Sequence, residues 1–319
     1  MNVRKSPPKR PMNESKTHCR TAPMKLSSPA ALATQVKNQP LGARVSRLDR
    51  RQTLLSWGAL ALGALVARPA AAQTFDHSHA AWTTLLKKHV VLLGGGKASQ
   101  ARYAGFASDN SALRAYTDSL SAVSSSTFNT FSKLQQMAFL INAYNAFTVA
   151  LILTRYPKLV SIRDLGTLLS NPWKPKFIAL LGTEMSLDNI EHDTLRAKGR
   201  YDDPRIHFAV NCASIGCPML REEAFVGERL EAQLDEQALR FMSDRSRNRY
   251  AEGKLQLSKI FDWYGDDFKQ GYKGITSLGA FAARYANQLA DAPADRERIK
   301  GAGLEIGFLD YDWKLNDAR

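Results

Sequence analysis

The sequence predicts an α+β fold, a single mixed domain with a buried central helix and a small antiparallel or mixed sheet. Residues 134–156, LQQMAFLINAYNAFTVALILTRY, carry apolar side chains on every side, as expected for a helix surrounded by protein. Helix-like and strand-like segments follow one another irregularly. This order disfavours a doubly wound parallel sheet, which needs regular alternation of strands and helices.

The other helices are predicted from apolar periodicity and from capping residues. Residues 80–92 form an amphipathic pattern, and Pro157 marks the end of the central helix. Ser186 and Ser277 are good N-caps for the segments that follow them. Further helices are therefore predicted over 187–196, 228–242 and 278–289.

Strand signals are shorter and rest on apolar, β-branched or alternating residues. They predict strands or extended segments over 177–181, 205–211, 254–257 and 305–315. Side chains alternate along a strand, so His207 and Cys212 would face opposite sides. Cys217 would then approach His207 from beyond the turn, or His192 would approach from its own helix.

The N-terminal part is typical of an export leader. Residues 1–42 are rich in Lys, Pro and Ser and are predicted to be a disordered or mis-assigned extension. Residues 43–72 have the order of a signal peptide: basic residues including the pair Arg50-Arg51, an apolar run, and small residues ending near Ala72. The arginine pair resembles a twin-arginine signal.

The signal peptide predicts a periplasmic or secreted protein with one globular domain over residues 73–319. Its apolar run is shorter than the roughly 20 residues that a bilayer span needs. No stable transmembrane span is therefore expected after processing.

The net charge of +14 belongs mostly to the leader. Residues 1–72 hold 13 of the 44 Lys and Arg residues and only 2 of the 30 Asp and Glu residues, which leaves +3 for the remainder. A nearly neutral domain gives no reason to expect a nucleic-acid partner. We expect an unidentified small-molecule or peptide ligand, and the oligomeric state stays open.

Residues 207–218, HFAVNCASIGCP, concentrate the residue types that perform nucleophilic chemistry. Either cysteine could act as nucleophile, with either of two histidines as base and an asparagine as orienting group or oxyanion donor. Asp188 lies four residues before His192 and could fix its tautomer. The candidate catalytic residues are Cys217, Cys212, His207, His192, Asn211, Asn145 and Asp188.

Other interpretations compete with a catalytic one. Two nearby cysteines in an exported protein most often form a disulfide. Asn142 and Asn145 are interpreted first as structural brackets between the core helix and loop backbone. Asp266 and Asp267 are either solvated or orient a histidine, and Trp173 and Trp313 are expected in the core. No cofactor is predicted, although zinc has a weak ligand set in His192, His207, Cys212 and Cys217.

Several segments resemble the family called domain of unknown function 547. They are AFLINAYNAF, SLDNIEH, DDPRIHFAVNCASIGCP, LSKIFDWYGDDF and YDWKLN, in that order along most of the chain after the leader. The resemblance implies no catalytic role. It points to the motif positions Asn142, Asn145, His192, His207, Asn211, Cys212, Cys217 and Pro218.

The function favoured by the sequence is a periplasmic Cys/His-dependent hydrolase or acyl-transfer enzyme. One alternative is a non-catalytic binding domain stabilised by a Cys212–Cys217 disulfide. The other is a metal-binding protein that uses histidine and cysteine.

Overall fold

The computed structural model describes residues 74–166 and 171–319. The predicted leader, its signal peptide and the cleavage near Ala72 lie outside these described residues. The α-helices are α1 Ala80–His89, α2 Tyr103–Ser108, α3 Asn110–Ser121, α4 Ser125–Asn129, α5 Lys133–Leu153, α6 Leu230–Met242, α7 Ile260–Trp263, α8 Leu278–Ala283, α9 Ala286–Leu289 and α10 Pro293–Lys300.

Helix α5 is the centre of the fold, as the sequence predicts. Its side chains are buried almost continuously from Met137 to Val149. Ser132 and Gln135 form a capping box that fixes its first turn. α5 is long and apolar enough to cross a membrane, but 78% of its apolar window is buried inside the protein, which is the pattern of a core helix.

The strands form three small sheets among the described residues, which confirms the predicted α+β class. They are β1 Val90–Leu93, β2 Ala98–Ala101, β3 Ile178–Leu180, β4 Thr183–Met185, β5 Arg249–Ala251, β6 Lys254–Leu257 and β7 Ile306–Phe308. β1 pairs with β2 and β3 with β4, both antiparallel. β6 lies between antiparallel β5 and parallel β7, so this sheet is mixed.

The predicted strand over 205–211 is wrong, because Pro204–Phe208 forms a 3-10 turn. Asp203 starts this turn: its Oδ1 accepts the N–H of Arg205 at 2.9 Å, and Pro204 supplies the fixed φ that the first turn needs. The apolar side chains are buried without being extended. Side chains therefore do not alternate here as in a strand, and the prediction that His207 and Cys212 face opposite sides no longer has a basis.

Other boundaries differ for local reasons. The predicted 80–92 helix ends at His89, because β-branched Val90 and Val91 pair in a hairpin closed by glycines with positive φ. The 278–289 helix breaks between α8 and α9. The strand predicted over 305–315 is regular only in β7. Asn189–Leu195, predicted within an α-helix, is a widened π-type turn.

Candidate active site

A cavity of about 240 Å³ brings together residues that are distant in sequence. Five predicted site residues line it. Its walls are Tyr144, Asn171, Trp173, Asp188, Glu191, His192, His207, Val210, Cys212, Cys217, Pro218, Ile260, Trp263, Tyr264, Tyr311 and Trp313.

Asn145 and Asn211 do not line the cavity, contrary to their predicted orienting or oxyanion role. Asn145 on α5 donates to the carbonyl of Ala209 at 2.9 Å and accepts the N–H of Asn211 at 2.8 Å. Asn211 in turn donates to the carbonyl of Pro218 at 2.7 Å and accepts the N–H of Ala213 at 3.0 Å. Both amides are therefore used to hold the cysteine loop.

Asn142 makes the same kind of bracket one turn earlier on α5. It donates to the carbonyl of Phe225 at 2.7 Å and accepts the N–H of the same residue at 3.0 Å. These bonds match the structural interpretation of Asn142 and Asn145.

Replacing Asn145 by Ala is expected to lower the free energy of unfolding by about 2–4 kcal/mol. The change leaves a buried carbonyl and a buried N–H without partners, each costing about 1–3 kcal/mol. Urea unfolding of the variant and the wild-type protein measures the difference. Replacing the exposed Asn129 by Ala provides the control. An equal decrease in the free energy of unfolding for both variants would contradict the structural role of Asn145.

The two cysteines are in contact inside the loop. Their Sγ atoms lie 2.8 Å apart, and both are free thiols in this structure. Cys212 Sγ also lies 3.0 Å from the hydroxyl of Tyr311 and 3.1 Å from that of Ser214. Because the two sulfurs already touch, a disulfide between them stays an alternative state of the pair.

The surroundings of the two thiols shift their pKa values in opposite directions. Burial raises the pKa of Cys212, but hydrogen bonds from Cys217, Ser214 and Tyr311 outweigh burial and bring the pKa below its usual value. Burial and the adjacent Cys212 raise the pKa of Cys217 well above its usual value. Cys212 is therefore the more readily ionised thiol of the pair.

His207 is held by a carboxylate that is itself held by an arginine. His207 Nε2 lies 2.7 Å from Asp267 Oδ2, and the Nε of Arg196 donates to the same oxygen at 2.6 Å. Burial raises the pKa of Asp267, but hydrogen bonds from His207 and Arg196 outweigh it and hold the pKa well below its usual range. Asp267 thus fulfils the predicted orienting role, whereas Asp266 is solvated, with 97% of its side chain exposed.

This contact determines which nitrogen of His207 is available. With Asp267 ionised, Nε2 carries the hydrogen, so the lone pair of the neutral ring lies on Nδ1. No hydrogen bond engages Nδ1 within the described residues. His207 also stacks on Tyr264 at a centroid distance of 4.2 Å, which fixes the plane of its ring.

His192 is less suited to act as base. Its Nδ1 is hydrogen-bonded by Arg196, and its Nε2 faces Asp188 at 3.4 Å, as the i, i+4 spacing predicts. Both ring nitrogens are therefore occupied by protein groups.

Sequence reasoning gave no site role to several residues that line the cavity, among them Tyr144 and Glu191. Tyr144 on α5 is 1% exposed, and burial raises the pKa of its phenol well above the usual value, so the hydroxyl stays protonated. Glu191 is 6% exposed and stands directly before His192. Both lie inside the resemblance motifs, but each looked like an ordinary helix residue there.

Trp173 and Trp313 were expected in the core and instead line the cavity with Trp263. Their rings contact one another, with centroids 6.1 Å apart for Trp173–Trp313 and 5.5 Å for Trp263–Trp313. Indoles at such spacing usually fill a core, and only the fold reveals that these form a wall.

The predicted zinc ligands do not form a ligand set. Within the described part of the chain, no group of three or more His, Cys, Asp or Glu side chains is arranged to hold a metal ion. The weak alternative of His192, His207, Cys212 and Cys217 therefore has no geometric support.

Comparison with curated proteins and with solved structures finds no match to this chain. Residues 128–242 match the model of the family described as protein of unknown function, DUF547. The matched segment contains the central helix, the asparagine brackets and the cysteine loop. Over residues 128–242 the chain is therefore similar to the DUF547 family.

Proposed function

We propose that the protein is a thiol-dependent hydrolase or acyl-transfer enzyme in which Cys212 is the nucleophile. The observation that carries the proposal is one cavity lined by an acidified thiol and by a histidine fixed by a carboxylate. Nucleophile, base and orienting group are the three roles that such catalysis needs.

The roles follow from the contacts of each residue. His207 Nδ1 takes the proton of the Cys212 thiol and becomes an imidazolium. The Cys212 thiolate attacks the acyl carbonyl carbon, a C–S bond forms as the C=O π bond opens, and the resulting oxyanion accepts a hydrogen bond from the Tyr144 hydroxyl. The carbonyl re-forms as the leaving group departs with a proton from the His207 imidazolium. His207 then takes a proton from water or an acceptor, which attacks the thioester and releases Cys212 as thiolate.

Asp267 serves this scheme as a positioning residue. It keeps the hydrogen on His207 Nε2, leaving Nδ1 as the site of proton exchange, and it stabilises the imidazolium. Arg196 holds Asp267 in place through two hydrogen bonds, at 2.6 and 3.2 Å.

A direct test uses p-nitrophenyl acetate as an acyl donor with the reduced protein. Acetylation of Cys212 followed by its release is expected, with the acetyl group located by peptide mass spectrometry. Acetylation confined to lysines, at the same rate in a Cys212→Ala variant, would overturn the proposal.

The contact between the sulfurs favours a second candidate, reversible thiol–disulfide exchange. Cys212 would attack a substrate disulfide and Cys217 would resolve the mixed disulfide, which fits their separated pKa values. A Cys217→Ala variant separates the two: it keeps acyl transfer under the first proposal and accumulates an unresolved mixed disulfide under the second.

A further inference from the structure

We infer that the cavity recognises its substrate through a cationic nitrogen, an alkylammonium-type group, held between Glu191 and the tryptophan wall of Trp173, Trp263 and Trp313. This inference rests on the proposed function, because it places the cation beside a reactive Cys212. The inferred class of substrate is therefore a compound that carries an alkylammonium-type cation.

The charges that line the cavity favour a cation. Asp188 and Glu191 contribute carboxylates, and no lysine or arginine is among the described residues that line it. Cys212 adds a third negative charge when it ionises. An anionic substrate would meet these two carboxylates.

Glu191 is the carboxylate without a cationic partner. Asp188 faces His192, but Glu191 has no ion pair within the described residues, although it is 94% buried. Burial and the nearby charge of Glu191 raise the pKa of the Tyr264 phenol, so this neighbour stays neutral and supplies no positive charge. Arg196 is near enough for its charge to interact with that of Glu191, but its hydrogen bonds go to Asp267 and His192. Buried charges are normally paired, and a ligand cation would supply the pair.

The aromatic wall offers the complementary surface. The faces of indole and phenol rings attract cations, indole most strongly. Trp313 lies 4.5 Å from Tyr311 and 5.5 Å from Trp263 by ring centroids. The guanidinium of Arg163, which does not line the cavity, already lies 5.2 Å from the Trp313 centroid.

The size of the cavity limits the group that enters. A volume of about 240 Å³ lies just below the roughly 300 Å³ at which ligand pockets for drug-sized molecules begin. It accommodates a side-chain-sized group. Trp263 is 43% exposed, so the wall reaches the surface where such a group would enter.

The test measures how fast Cys212 reacts with three methanethiosulfonates of similar size in the full-length Cys217→Ala protein. They carry a trimethylammonium group, no charge or a sulfonate. In each reaction the Cys212 thiolate attacks the sulfenyl sulfur, a disulfide forms and methanesulfinate leaves. Peptide mass spectrometry assigns the modification to Cys212, and 2-mercaptoethanol gives the intrinsic reactivity of each reagent.

We expect Cys212 to react at least tenfold faster with the cationic reagent than with the anionic one, after correction for the intrinsic reactivity of each reagent. Glu191→Gln is expected to reduce this ratio about tenfold, as one charge a few ångströms away does at intermediate dielectric. Trp263→Leu is expected to reduce it severalfold. Glu184→Gln, an exposed carboxylate in the β3–β4 hairpin, is the control and leaves it unchanged. The thiolate fraction is common to all reagents and cancels in the ratio.

The outcomes separate this inference from the function beneath it. If Cys212 does not react even with the neutral reagent, the proposal that Cys212 is the nucleophile is overturned. A Cys212 that reacts with the neutral reagent but shows no cationic preference, or the same preference in Glu191→Gln, would overturn only the cationic substrate.

Discussion

A Cys212→Ser variant is expected to lose at least about 10³-fold of the rate of acetyl transfer from p-nitrophenyl acetate. A hydroxyl is a far weaker nucleophile than a thiolate at neutral pH, and loss of a catalytic nucleophile typically removes most of the rate enhancement. The burst of p-nitrophenolate from reduced protein measures this effect.

Cys217→Ala is the matched control for the same loop. It keeps the nucleophile and removes one of three donors to it, so the pKa of Cys212 rises and the rate at neutral pH falls modestly. If Cys217→Ala lost the burst and Cys212→Ser kept it, the assignment of nucleophile would be reversed.

An Asp267→Asn variant is expected to lose about 10²–10⁴-fold in rate, because an amide in place of the carboxylate favours the wrong tautomer of His207. Asp266→Asn changes an exposed neighbour whose carboxylate pairs with Lys269, and we expect it to retain the wild-type rate. Equal rates for Asp267→Asn and the wild-type protein would show that His207 is not the base.

The same variant is expected to be less stable by about 2 kcal/mol near neutral pH, since hydrogen bonds from His207 and Arg196 to a charged group are lost. The pKa of Asp267 is depressed in the folded protein. Its stabilising contribution is therefore complete above the unfolded pKa of about 3.9 and is lost as pH falls through the folded pKa. Urea unfolding at several pH values measures the free energy of unfolding of both proteins. The difference in this free energy between the variant and the wild-type protein should become smaller below about pH 4.

The sequence identified the parts of the fold that depend on local composition. The buried helix α5 was predictable because its apolar residues surround it completely. The cysteine loop could be chosen as a candidate site because reactive residue types cluster in one segment. Asp267, the partner of His207, is one of two adjacent aspartates in the sequence, and the sequence could not decide which of the two faces His207.

The errors arise where tertiary contacts override local pattern. Residues 205–211 look extended, but Asp203 and Arg205 satisfy one another in a tight turn that local β propensity does not reveal. Asn211 was a candidate catalytic amide because it directly precedes Cys212, and Asn145 was one only as the alternative to a structural bracket. In the structure both side chains donate to a backbone carbonyl and accept a backbone N–H. These contacts become visible only when α5 and the loop are placed together.

The pH dependence of Cys212 alkylation by iodoacetamide tests the central claim most directly. Thiolate is the reactive species, so the reaction rate in the reduced native protein follows ionisation of Cys212. We expect a midpoint below the ordinary cysteine pKa of about 8.5, and a shift to higher pH in Tyr311→Phe, which removes a donor. A midpoint at or above the ordinary value, or alkylation of Cys217 before Cys212, would contradict the account.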